Sequence, residues 1–171
     1  MGIIESILLW AHILLVIVWL GCDFVVFNLS WSLMNRELPI DVRLDRARLA
    51  QKFDYWVMKA FLITPFVGIV LTYLKWSSFE GVFYRPWMNV KLIFFGIILI
   101  MAVLLVAGAA GTTGILEAIK NKEGDKEKLE KSLRKRVINL AYPAITLHIL
   151  LAAIIIIALV GNHGDMLVET F

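Results

Sequence analysis

The run Leu92–Leu116, LIFFGIILIMAVLLVAGAAGTTGIL, decides the fold. It carries no charged residue, and it is longer than the about 20 apolar residues that cross a bilayer as a helix. Outward from it the same signal returns three times. Residues 6–29 carry no Asp, Glu, Lys or Arg apart from Asp23. Residues 56–75 are bracketed by Trp56, Tyr73 and Trp76, aromatic types that suit the membrane interface. Residues 137–161 form the last run, and the opening run extends over 90–115. These stretches are too long for barrel strands and lack their alternation. The expectation is an all-α, integral membrane four-helix bundle, a single transmembrane domain over residues 1–171.

Composition agrees. The chain is 60% hydrophobic and 18% charged, where soluble domains are roughly 45–50% apolar and about 25% charged. A soluble globular enzyme and a disordered chain are both excluded. The single Cys22 rules out an internal disulfide and any CxxC motif, and its apolar neighbours suit a structural thiol. The first run has no basic stretch before it and no small-residue cleavage site, so it reads as a retained helix rather than a signal peptide.

Net charge is +3, and the basic residues sit in the connections. That pattern sets topology and offers no nucleic-acid surface. Arg36, Arg43, Arg46, Arg48 and Lys52 mark the first connection, and Lys120 to Arg136 the third; the second holds only Lys75 and Arg85. The positive-inside rule then expects the basic connections in the cytoplasm and both termini on the outer, periplasmic side of the inner membrane. The Lys/Glu run of the third connection reads as a solvated helical extension, with contact to anionic membrane lipid as the sharper alternative.

Polar groups inside hydrocarbon are costly and are functional candidates by default. Here they are His12, Asp23, Lys91 and His148; His163 falls beyond the fourth run. Counted inward from the outer face at about 1.5 Å per residue, His12 and His148 differ in depth by about one helical turn. Glu5, His12, Trp19 and Asp23 share a face, and Ala141, Ala144 and Ala152 leave room around His148. Histidines on facing helices of a bundle can hold a haem, with Lys91 and Arg85 toward its propionates and Trp19 beside the ring. The alternatives are one axial histidine, or structural and proton-relay roles. Asp23 reads either as paired with Lys59 or as part of a proton path.

The residues His12, Ile13, Val16, Trp19 and Gly21, the stretch Pro65–Leu74, the segment Trp87-Met88-Asn89-Val90-Lys91-Leu92 and Arg136–Asn139 resemble the HemJ-like membrane proteins, themselves related to the CopD-like copper-resistance proteins. The resemblance implies a haem b-containing inner-membrane helical protein, with His12 and Lys91 at functional positions and protoporphyrinogen oxidation as the family activity. Asn89 stands where the motif has histidine, and His148 has no counterpart in it. The reading from sequence is therefore a bis-histidine haem b protein with an electron-transfer role. Its partners would be a quinone or a periplasmic redox protein, and a homo-oligomer is possible. A HemJ-like oxidase is the alternative. Copper transport is weaker, because only Met101 and Cys22 offer soft ligands well within the runs.

Overall fold

The computed structural model describes the backbone of residues 2–77, 83 and 85–168, and their side chains except at 76, 110 and 162–168. It holds four long helices: α1 (Ile3–Ser32), α2 (Ile40–Trp76), α3 (Pro86–Lys120) and α4 (Lys126–Val168). All four are long and apolar enough to cross a membrane, which makes this a multi-pass membrane protein. α1 packs along α2 and α3 along α4. The two hairpins meet mainly through α2 and α3, and more sparsely through α1 and α4.

Local chemistry sets the helix ends. Glu5 accepts a hydrogen bond from the Gly2 backbone N–H at 2.9 Å and places a negative charge in the first turn of α1. Pro86 opens α3, where its missing N–H costs nothing. Asp125 accepts from the backbone N–H groups of Glu127 and Lys128 and starts α4. Gly124, at φ 84°, makes the turn before it. Ser77, at φ 51°, ends α2 in the left-handed region.

The helices overrun the bilayer. α2 has 37 residues, about 55 Å at about 1.5 Å per residue, against a hydrocarbon core of about 30 Å. The stretch between the first two runs, expected as a connection, is mostly the start of α2. At this end, called the loop end because it carries the α1–α2 and α3–α4 connections, Leu33, Leu44, Ala47, Leu116, Leu133 and Val137 form a small core. Inside it Arg43 donates to both carboxylate oxygens of Glu130, at 2.6 and 2.8 Å, and through Nε to the Leu33 carbonyl at 2.8 Å. Both side chains are buried. Arg36–Glu127 and Lys120–Asp41 pairs surround them on the surface.

A second core lies at mid-bundle: Trp19, Val57, Ala60, Phe61, Ile98, Leu147, Leu151 and Ile154. Trp19 meets Phe61 edge-on at 4.8 Å, and Phe61 stacks on Phe95 at 5.0 Å. Ile3, Trp10, Ile100, Leu104 and Ile149 point outward and stay exposed. This is the face an apolar solvent would cover.

Candidate functional site

Antiparallel pairing fixes which polar residues meet. Along α2, the positions Ala47, Ala50, Asp54, Val57, Phe61, Thr64 and Gly68 recur every three or four residues and turn to one side. They face α1 in reverse order. Asp54 feels the charge of Asp23, Phe61 touches Trp19, and Thr64 and Gly68 lie beside His12.

The lower cluster is Asp54, Asp23 and His148. His148 Nδ1 lies 2.7 Å from the Ala144 carbonyl; that oxygen only accepts, so Nδ1 carries the proton. The other ring nitrogen, Nε2, lies 3.2 Å from Asp23 Oδ2. The alignment is too poor for a hydrogen bond, so this buried nitrogen goes without one. The side chains of His148 and Asp23 are 28% and 17% exposed, which leaves the pair inside the bundle. Below it a cavity of about 90 Å³ runs toward the loop end, lined by both aspartates together with Ser30, Gln51, Thr112 and Thr113. Among the described residues, no lysine or arginine lines it.

The upper cluster is His12, Thr64 and Lys91. His12 lies against the α2 backbone at Gly68: a Cβ built there would sit 3.3 Å from the ring Cε1, so the approach depends on glycine. Its Nδ1 is buried without a hydrogen bond. The Thr64 backbone and the Lys91 charge act on the ring from α2 and α3. Between the clusters stand Trp19, Phe61 and Phe95.

The structure does not bring His12 and His148 to one site. His148 is opposite Asp23, and Asp23 lies about 16 Å of helix rise from His12 along α1. The two imidazoles of a bis-histidine haem stand about 4 Å apart across the metal, twice a metal–nitrogen bond of about 2 Å. The residues as placed do not fit that group, nor is there room for a macrocycle between His12 Nδ1 and Gly68. Among the described residues, no set of three or more His, Cys, Asp or Glu side chains is grouped to hold a metal ion.

The other sequence candidates fall as follows. Trp19 is buried with Phe61 and Phe95 in an aromatic plug between the two clusters. Lys91 belongs to the upper cluster. Arg85 is the N-terminal cap residue of α3, at the end away from the loops, and interacts within the chain. Lys59 does not reach Asp23; its ammonium lies over the Tyr55 and Trp56 rings, at 4.2 and 5.0 Å. Glu5 caps its own helix. The His163 side chain lies outside the described residues. Asp54 was not a sequence candidate, although its place in the three-and-four spacing with Val57 and Phe61 was there to find it.

No family model, no curated protein and no solved structure matches the chain.

Proposed function

We propose that this chain is a proton-translocating membrane protein, with Asp23 and His148 as its loading site. The observation that carries the reading is the 3.2 Å approach of His148 Nε2 to an Asp23 carboxylate inside the bundle. Ionisable residues in this setting serve as relays in pumps and transporters. With one proton between them, the two groups are electrically neutral as a pair, either as acid and imidazole or as carboxylate and imidazolium. A buried net charge is thereby avoided.

Protons enter from the loop end, through the cavity and past Asp54. By the positive-inside rule that end is cytoplasmic and the membrane is the inner one. Onward transfer to His12 requires the Trp19–Phe61 contact to part, since proton transfer works over hydrogen-bond distances of roughly 2.6–3.2 Å. The aromatic plug therefore gates the path.

The test is proton flux in proteoliposomes under an imposed pH gradient, with potassium and valinomycin holding the potential. Wild type conducts above empty liposomes, and Asp23→Asn falls to their level. Equal flux in wild type and Asp23→Asn would remove the reading. A reduced-haem spectrum from the purified protein would replace it with the redox function that the family resemblance implies.

A further inference from the structure

We infer that the loop-end cavity is a binding site for a small aliphatic ammonium ion. The inference rests on the proposed loading site, because it assigns a second cation to the same vestibule.

The argument begins with charge. Asp23 has His148 as its partner. Asp54 lines the cavity, is half-buried, and has no cationic or hydrogen-bonding partner among the described residues. Lys52, two residues before Asp54, is exposed and does not line the cavity, and other cations near it are committed elsewhere. Lys59 rests on Tyr55 and Trp56, Arg48 pairs with Glu117 at 3.4 Å, and Arg136 donates through Nε to the Gly108 carbonyl. From α3 the cavity receives Thr112 and Thr113 and no charge. The site is therefore short of one positive charge, which a proton or a monovalent cation supplies.

The second observation is Thr112. It is only 7% exposed and lines the cavity, yet its hydroxyl has no protein partner among the described residues. Its hydroxyl is therefore left to donate to, or accept from, an occupant of the cavity.

The wall selects the kind of cation. Phe27 and Trp31 stack at 6.0 Å and offer aromatic faces, and most of the remaining lining is aliphatic. An alkylammonium meets all three demands: N–H donors for Asp54 and Thr112, an alkyl part for the apolar wall, and a positive charge for the rings. A bare sodium ion would leave the aliphatic and aromatic wall unused. About 90 Å³ admits a chain of only a few heavy atoms. Ammonium and proton compete for one negative charge, so loading an alkylammonium releases a proton toward the loop end, and the charge of the site is unchanged.

The experiment is calorimetric titration of the purified full chain with ethylammonium chloride, at constant ionic strength against sodium chloride. Two buffers of different ionisation enthalpy count the protons released. The expected result is saturable ethylammonium binding with proton release and no response to sodium. Asp54→Asn abolishes it, Thr112→Val weakens it, and Trp31→Leu weakens it roughly tenfold. Size-exclusion profiles matching wild type show that the variants fold. Absence of saturable binding, equal binding of sodium, or binding that survives Asp54→Asn overturns the inference. Flux that depends on Asp23, without ethylammonium binding, removes this inference and leaves the proton path standing. Binding without such flux removes the proton path and leaves the site.

Discussion

At the loop end the four helices are tied by a buried guanidinium–carboxylate pair and a small aliphatic core, and water-facing ion pairs surround it. At the opposite end a lone histidine rests on a glycine, with one lysine nearby, and the outer surfaces are apolar. Both ends bury polar groups, and at the loop end a cavity opens beside them. The aromatic plug between them has a cavity on its loop side and the close His12–Gly68 approach on the other. A gated path needs that asymmetry, and a structural bundle does not.

The all-or-none test of that contrast is topology. In a Cys22→Ala background, a membrane-impermeant thiol reagent added outside should label Ser77→Cys and spare Ser132→Cys. Both positions are exposed, at opposite ends of the bundle. The reverse pattern would turn the vestibule outward.

Next comes the loop-end clamp. Arg43→Ala leaves the buried Glu130 with only the more distant Arg36, at 3.9 Å, and should cost about 3 kcal/mol, read as a loss of thermal stability in detergent. The double replacement Arg43→Met with Glu130→Leu should recover most of it. A small loss in the single variant would show that water reaches the pair.

Trp19→Ala opens the plug. Proton leak should rise above wild type and disappear when Asp23→Asn is added; Trp19→Phe should stay near wild type. A leak unaffected by Asp23→Asn would mean a hole rather than a path.

The smallest effect belongs to the upper cluster. Gly68→Ala places a methyl 3.3 Å from His12 Cε1. The ring gives by a few tenths of an ångström, and the change costs about 1 kcal/mol. A loss above about 3 kcal/mol would show that the upper end is as tightly held as the lower.

How much of this was legible in the sequence follows from what is local. The apolar runs announced four helices, because hydrocarbon solvent imposes both length and composition. The helix ends were less legible. Arg43, Glu130 and Lys120 read as connection residues because they are charged, yet cross-helix pairs hold them in regular structure. Asp23, His12, Lys91 and His148 were each visible as costly polar groups. Their partners were not, since pairing depends on antiparallel register. A residue count from the outer face does not say how α4 sits beside α1, and in the bundle His148 falls at the level of Asp23 rather than of His12. Asp54 was hidden for a related reason: it lies in a charged stretch, and its inward face shows only when α2 is read as one continuous helix.

The pairing of His148 with Asp23 rather than with His12 is the central claim, and cysteine cross-linking in native membranes tests it most directly. In a Cys22→Ala background, Asp23→Cys with His148→Cys should form a disulfide on mild oxidation, while His12→Cys with His148→Cys should stay reduced. A cross-link between positions 12 and 148, with none between 23 and 148, would contradict the register, the loading site and the function built on it.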